Sequence, residues 1–136
     1  MNIAKDIAQY LSENTEIENI FYSQLPPSVD YPQAVAVIQY NSGLNIDYRA
    51  PDIIPAAVQI VCRDISYDAA IECASKICSF LKNIGNSALG YPDVSINGND
   101  YIRVSARGTP EQLKEDETEN IYITQNYYIW IRNKED

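Results

Sequence analysis

The chain has 136 residues, a formal net charge of −9 at pH 7 and no histidine. A chain of this length can bury about two-thirds of its unfolded surface in one core, so we expect a single domain spanning 1-136. Without histidine the chain lacks the commonest general base and the commonest transition-metal ligand, and its acidic surface disfavours binding to phosphate backbones. Composition therefore argues against an enzyme, a zinc protein and an ordinary nucleic-acid-binding protein.

The three cysteines, Cys62, Cys73 and Cys78, match neither a zinc-binding spacing nor a disulfide framework. We expect them to be reduced thiols in the protein interior. Near the N-terminus Lys5 and Asp6 interrupt the first apolar positions, and no apolar run approaches the ~20 residues that span a bilayer. The sequence therefore predicts a protein of the reducing cytoplasm that does not enter a membrane.

The first predicted element is an amphipathic helix that Asn2 caps and that ends near Asn14. Its apolar face is formed by Ile3, Ile7, Tyr10 and Leu11, and its polar face by Lys5, Asp6, Gln9 and Glu13. A short apolar piece, "IFYSQL", then leads to "PPSVDYP", where three prolines within seven residues exclude regular structure.

Two strands are predicted next, near 34 to 41 and 56 to 63, because apolar residues alternate along both. The connection between them is too long for a tight hairpin and more apolar than a solvated loop needs. We therefore expect this loop, 42 to 55, to dock on another surface. Its candidate contact residues are Leu44, Ile46, Tyr48, Arg49 and Asp52. Arg49 and Asp52 would add charge pairs that determine how the two surfaces align more than how tightly they bind.

The clearest element is a second helix, from the N-cap Ser66 to about Ile84, which ends at Gly85. Apolar side chains recur in it at steps of three and four residues. They are Tyr67, Ala70, Ile71, Ala74, Ile77, Cys78, Leu81 and Ile84. We expect this face to pack on a sheet.

Two further strands are predicted near 101 to 107 and 120 to 131. In the first, Ile102, Val104 and Ala106 alternate with Tyr101, Arg103, Ser105 and Arg107. In the second, the inward face is apolar, with Ile121, Ile123, Tyr127, Ile129 and Ile131, and Gln125 is the exception. The outward face carries Tyr122, Thr124, Asn126, Tyr128, Trp130 and Arg132. Because aromatic residues are enriched at interfaces, Tyr128 and Trp130 are candidate contact residues. Either a partner protein or a helix of this chain would cover them.

The order of these elements predicts an α+β fold, with an antiparallel (mixed) β-sheet of about four to five strands and two α-helices packed on one face.

Several acids, among them Glu115, Asp116, Glu117 and Glu119, precede the last strand. A catalytic carboxylate pair needs two environments that separate the pKa values, which a polar turn does not supply. The segment also lacks the alternation and central glycine of a calcium-binding loop, and the chain contains no nucleotide-binding or hydrolase motif. We expect a solvated acidic turn, with no catalytic residue, cofactor or metal.

The arrangement resembles the tail terminator and minor capsid (head-tail joining) proteins of long-tailed bacteriophages. The resemblance runs through "PQAVAVIQYNSG" and "AAVQIVCRDISYDAAIECASKICSFL" to the acidic turn and the aromatic strand. The sequences of family members often contain, in this order, a Pro, a Leu-Gly pair, an Asp-Glu pair and a Gly-Arg pair, followed after a short strand by Asn and an aromatic residue. The residues that fit this order are Pro110, Leu113, Asp116, Glu117, Asn126 and Tyr127; Lys114 replaces the glycine, and Glu119 and Asn120 replace the Gly-Arg pair.

The resemblance implies a virion structural protein that forms a homo-oligomeric, hexameric ring. Such a ring would cap the head-proximal end of the tail tube and join it to the head connector protein, after assembly in the host bacterial cytoplasm. DNA would only pass through the lumen, where an acidic wall repels phosphate. The alternative function belongs to another class of protein: a small acidic phage-encoded regulatory or inhibitory protein that occupies a basic surface of its partner.

Overall fold

The computed structural model describes residues 2–41, 43–44, 49, 52–112 and 120–132. Its elements in chain order are α1 (Ile3–Asn14), β1 (Ile20–Tyr22), β2 (Ala34–Tyr40), β3 (Ile53–Asp64), α2 (Tyr67–Leu81), a short 3-10 helix (Ser87–Leu89), β4 (Val94–Ile96), β5 (Asn99–Gln112) and β6 (Ile121–Arg132). The strands form one sheet in the order β1-β2-β3-β6-β5-β4. None of the described helices is long and apolar enough to cross a membrane.

The predicted α+β fold is confirmed, with a mixed sheet in which β1 and β2 are parallel and the other pairs are antiparallel. The described part of the sheet has six strands rather than four to five. The additional strands, β1 and β4, have three residues each. Strands this short show too little alternation for a sequence pattern to reveal them.

Both helices pack on the same face of the sheet, which we call the helical face. Their buried residues join the inward side chains of β2, β3, β5 and β6 in one core, which includes Ile7, Leu11, Val37, Val58, Ile60, Ile77, Leu81, Ile123 and Ile129. Both predicted N-caps are formed: Asn2 Oδ1 accepts from the backbone N–H of Lys5 at 3.1 Å, and Ser66 Oγ accepts from that of Ala69 at 3.2 Å. Each cap satisfies one of the free N–H groups at the helix start.

Asp6 departs from its predicted place on the polar face of α1, because it is only 4% exposed. Its Oδ2 accepts a hydrogen bond from the Tyr101 hydroxyl at 2.6 Å, and its Oδ1 accepts one from Asn97 Nδ2 at 2.7 Å. Burial, together with the neighbouring carboxylate of Asp6, raises the pKa of Tyr101. This network ties the start of α1 to the β4–β5 hairpin.

Tyr101 faces the core, although simple alternation placed it outward with Arg103. The reason is a β-bulge: Tyr101 lies opposite Ile131 and Arg103 opposite Trp130, which leaves Ile102 as an extra residue. Beyond the bulge, Val104 faces inward and Arg103 outward, as predicted. The bulge therefore shifts the alternation of the residues before it, including Tyr101, and preserves the faces of those that follow.

A second irregularity in β5 explains why Gln125, a polar residue, lies on the inward face of β6. The register shifts between Arg107 and Glu111, and Gly108 there has a φ of 78°. Gln125 is 3% exposed, and its Nε2 donates to the carbonyls of Arg107, at 3.0 Å, and Gly108, at 3.1 Å. The side chain thus supplies hydrogen bonds to a stretch of β5 that departs from the regular ladder.

Gly85, which follows α2, has a φ of 65° and lies against β5. A Cβ atom at this position would lie 1.8 Å from the Ile102 carbonyl oxygen. Only glycine fits, both because of the left-handed backbone and because of this close approach. The position fixes how the segment after α2 meets β5.

Candidate functional site

The face of the sheet opposite the helices carries the predicted outward side chains of β6. In the sheet register, Pro55 of β3 lies opposite Trp130, and Ala57 lies opposite Tyr128. On the other side of β6, Arg103 lies opposite Trp130 and Ser105 opposite Tyr128. We call this surface the outer face. No helix described in the structure packs on it, so the alternative of a helix lying across Trp130 is not realised there.

Arginines of β5 partly cover the aromatic rings of the outer face. The Arg103 guanidinium carbon lies 5.6 Å from the centroid of the Trp130 ring, and that of Arg107 lies 5.3 Å from the centroid of Tyr128. Tyr128 and Trp130 meet edge to face, with 6.2 Å between their centroids. Cation–π contacts at exposed sites contribute about 0.5–1 kcal/mol each. Both arginines remain exposed and the rings half-buried, so the surface is aromatic and cationic in an otherwise acidic protein.

Arg63 also lies over an aromatic ring, that of Tyr122, at 5.9 Å. It differs from the β5 arginines because it is only 4% exposed. Its guanidinium donates to the carbonyls of Tyr31 and Pro32. Arg63 therefore holds the proline-rich segment before β2 against the sheet, and we assign it a structural role.

Two buried polar atoms on the outer side of β6, Thr124 Oγ1 and Asn126 Oδ1, have no hydrogen-bond partner among the described residues. The same holds for the hydroxyl of Tyr40 at the end of β2. Most buried polar atoms in folded proteins are paired with protein or water. The outer face therefore contains hydrogen-bonding capacity that the described contacts of this chain leave unused.

The predicted loop, 42 to 55, begins and ends beside this aromatic surface. Tyr40, just before it, lies opposite Ala57, and Ile53 and Ile54 belong to β3 rather than to the loop. Leu44 is 43% exposed. Arg49 is exposed as well, whereas Ile46 and Tyr48 lie outside the described residues. The structure thus brings both ends of the loop to the end of the sheet that carries Tyr128 and Trp130.

Asp52 makes a contact within the chain at the same end of the sheet. Its Oδ2 lies 3.8 Å from Arg132 Nε, and Arg132 Nη1 lies 4.0 Å from Asp93 Oδ2. These side chains are about half exposed, so the ion pairs contribute little to stability. They join the start of β3, the end of β6 and the segment before β4.

The acidic turn, with Glu115, Asp116, Glu117 and Glu119, lies outside the described residues, so its solvation and metal binding stay predictions. Elsewhere in the described chain no three Asp, Glu or Cys side chains cluster in a way that could hold a metal ion.

The cysteines are free, with Cys62 buried and Cys73 and Cys78 partly buried. A hydrogen bond between the thiols raises the pKa of Cys62 and lowers that of Cys73, and burial raises the first further. Tyr127 is buried beside the Cys78 thiol, and this burial raises the tyrosine pKa. This side-chain cluster lies between α2 and the helical face of the sheet, where it serves as packing.

A cleft of about 480 Å³ lies on the far side of β5 from β6. Its walls are Lys82 and Ile84 to Ala88 after α2 and the β5 residues Arg103 to Ala106, with Gly108. Two cations, Lys82 and Arg103, line it, and its lining includes no carboxylate. The sequence pattern did not reveal this cleft, because it forms between segments about twenty positions apart in the chain.

No protein-family model matches the sequence, and no curated protein is significantly similar to it. Among solved structures, the fold is similar to a chain in the virion of the native gene transfer agent (GTA) particle. The two share 11% sequence identity at a TM-score of 0.69, and the alignment covers 96% of this chain and 95% of the other. At this identity the similarity shows that the two chains have the same overall fold, from α1 to β6.

Proposed function

We propose that the protein is a structural component of a phage or prophage virion, specifically a tail terminator. It would cap the head-proximal end of the tail tube and join it to the head connector. The observation that carries this proposal is the fold, which matches a chain of a gene transfer agent virion over nearly the whole length of both. The sequence resemblance to tail terminators independently favours the same class of protein.

The proposed role is mechanical rather than enzymatic. A ring subunit needs extensive contact surface more than a deep pocket, and the aromatic and cationic outer face supplies a surface of that kind. Aromatic and arginine side chains dominate the energetics of many protein interfaces. Six copies would form the ring in the assembled virion, and the net charge of −9 would let DNA pass without tight binding.

Deletion of the gene from the phage or prophage tests this role. We expect the mutant to produce heads and tail tubes that stay separate, and complementation with the wild-type gene to restore joined particles in electron micrographs. In purified wild-type particles the protein should be present in about six copies at the neck. Normal joined particles from the deletion strain would exclude the terminator role.

The runner-up, an acidic regulatory or inhibitory protein, rests on the same net charge of −9. It makes opposite predictions: the protein would be missing from purified particles and would be recovered bound to a basic host protein. The particle analysis therefore separates the two functions.

We further propose that the loop and the outer face together make the subunit and tail contacts. The residues concerned are Leu44, Ile46, Tyr48, Arg49, Asp52, Tyr128 and Trp130. Their support is the shared location of the loop ends and the two aromatic side chains. For a protein that joins heads to tails, we expect the double change Tyr48→Ala and Arg49→Ala to keep thermal stability and to reduce ring formation or joining.

A matched control is the double change Ile65→Ala and Tyr67→Ala at the start of α2, where the side chains are 71% and 47% exposed. This control should assemble normally. If the loop variant also assembles and completes infectious tails at the normal level, the loop is not an interface. Trp130 is a less selective target, because its contact with Arg103 also contributes to folding.

A further inference from the structure

Beyond Tyr101 the outer edge of β5 pairs with no described strand, although Gly85 lies against it at Ile102 and the segment after α2 faces it across the cleft. The neighbouring strand, β4, pairs only with Asn99 to Tyr101. The cleft described above runs along this edge, so the edge is accessible at Arg103 to Ala106. An unpaired strand edge presents free N–H and C=O groups and is a template for pairing with another strand.

The opposite edge of the sheet, β1, is open as well in the described chain. The N–H of Ser23 donates to the carbonyl of Val37 at 3.0 Å, and the N–H of Val35 donates to the carbonyl of Asn19 at 2.9 Å. In a parallel ladder with this pattern, the N–H and C=O groups of Ile20 and Tyr22 point away from β2. Tyr22 is 46% exposed. The sheet thus ends in an accessible strand on each side.

The two edges carry opposite charge. Residues 6 to 48, which contribute β1, β2 and most of α1, contain six carboxylates and neither Lys nor Arg. Among them Glu18 precedes β1 and is exposed, and Asp30 is exposed next to Tyr31, whose ring packs on Phe21 of β1. On β5, by contrast, the stretch from Arg103 to Arg107 is flanked by the cations Lys82, Arg103 and Arg107, and the acids of the strand, Asp100 and Glu111, lie outside this stretch. Opposite charges on separate patches of one chain favour contact between copies and disfavour wrong pairings.

The strand directions fit such a contact. β5 is antiparallel to β6, β6 to β3 and β3 to β2, and β1 is parallel to β2, so β1 runs opposite to β5. If successive copies are related by rotation about an axis along the strands, the β1 edge of one copy meets the β5 edge of the next in antiparallel orientation. Contacts between two different patches generate rings when the rotation closes.

We infer that a second copy of this chain docks on the open β5 edge, with its β1 edge against Arg103 to Ala106 and its acidic residues facing Lys82, Arg103 and Arg107. The contact is head to tail and extends the sheet from one subunit to the next. It specifies the subunit interface of the proposed ring and in that sense rests on the proposed function. Its test, however, uses the purified full-length chain alone.

The test is a charge-exchange experiment followed by sedimentation equilibrium, at up to about 1 mM protein in low salt. One variant carries Arg103→Glu and Arg107→Glu, and the other carries Glu18→Lys and Asp30→Lys. We expect wild type to associate, and the association constant of each variant alone to fall at least about tenfold. An equimolar mixture should recover association, because the acidic β5 edge of the first then meets the basic β1 edge of the second.

Three further measurements sharpen the test. The control Arg103→Lys with Arg107→Lys keeps the charge and should associate like wild type. Raising the salt to about 0.5 M should weaken wild-type association, because screening shortens the range of charge attraction. Tyr22→Pro removes an outward N–H of β1 and should block association, whereas Tyr22→Ala keeps that N–H and should not. Circular dichroism verifies that each variant is folded.

Several outcomes would overturn the inference: a wild-type protein that stays monomeric at about 1 mM, charge-reversed variants that associate normally, or a mixture no heavier than its components. If phosphate binds to monomers and is lost in the Arg103→Glu, Arg107→Glu variant while no association occurs, the cleft is an anion site and not a subunit contact. If virions contain a six-copy ring but the purified protein fails these tests, the edge contact is wrong and the virion role is unaffected. If the purified protein associates through this edge but is missing from particles, the edge contact is correct and the virion role is wrong.

Discussion

Tyr101→Phe is the substitution whose effect follows most directly from the structure. It removes one hydroxyl and leaves the ring, which is fully buried in the core, in place. That hydroxyl donates to Asp6 Oδ2 at 2.6 Å, and Asp6 is itself 4% exposed, so water cannot readily replace the lost donor. Asp6 would keep Asn97 as a partner of its other oxygen. Hydrogen bonds to charged groups contribute about 1.5–3 kcal/mol, and we expect a loss of about 2 kcal/mol.

Urea denaturation of the variant at pH 7 measures this loss. A double-mutant cycle with Asp6→Asn isolates the interaction, because it removes the separate effect of a negative charge in the first turn of α1. We expect a coupling free energy of at least about 1 kcal/mol. Tyr67→Phe, at a tyrosine that is 47% exposed, is the matched control and should change stability very little. A loss below about 0.5 kcal/mol for Tyr101→Phe, or additive effects in the cycle, would refute the reasoning.

Three other predictions concern the core, the titration of buried tyrosines and the acidic turn. Leu81→Ala or Ile77→Ala should lower the free energy of unfolding by about 2–5 kcal/mol, because both side chains are fully buried on α2. The control Leu89→Ala, at a residue 69% exposed, should not. Losses under about 0.5 kcal/mol at both core positions would mean that the wrong helical face was assigned. Burial raises the pKa of Tyr101 and Tyr127, so the unfolded chain releases their protons at a lower pH than the folded chain does. The free energy of unfolding should therefore fall as the pH rises above about 10. Tyr127→Phe should reduce this fall in urea titrations between pH 7 and 11. Asp116→Asn with Glu117→Gln should leave the fold intact, and calorimetry should detect no stoichiometric metal binding to the wild type. Tight calcium or magnesium binding that disappears in this variant would contradict a solvated turn.

Local periodicity was enough to predict the elements whose packing face depends on their own sequence. The three- and four-residue spacing along α2 placed Ile77 and Leu81 in the core, and alternation along β6 placed Tyr128 and Trp130 on the opposite face of the sheet. These predictions held because a helix or strand that buries one face must repeat its apolar residues at the period of its backbone.

The features that sequence reasoning missed depend on residues far apart in the chain or on a break in alternation. Asp6 is buried because Tyr101, 95 positions later, supplies a hydrogen-bond donor. Tyr101 itself was assigned outward because a bulge leaves no mark in the composition of a strand. Alternation predicted that Arg103 and Arg107 face outward on β5, but no sequence pattern predicted that β5 pairs with β6 and so brings these arginines over Trp130 and Tyr128. The Tyr48 contact and the acidic turn stay predictions.

The bulge at Ile102 also bears on how this chain could vary in length during evolution. Removing a residue from the middle of a regular strand turns every following side chain to the wrong face. Removing Ile102 would not, because Tyr101 faces inward and Arg103 outward, as adjacent strand residues normally do. Relatives with one residue fewer at this point could keep the same core and the same outer face. An alignment that forbids a gap there would assign their β5 side chains to the wrong sides of the sheet.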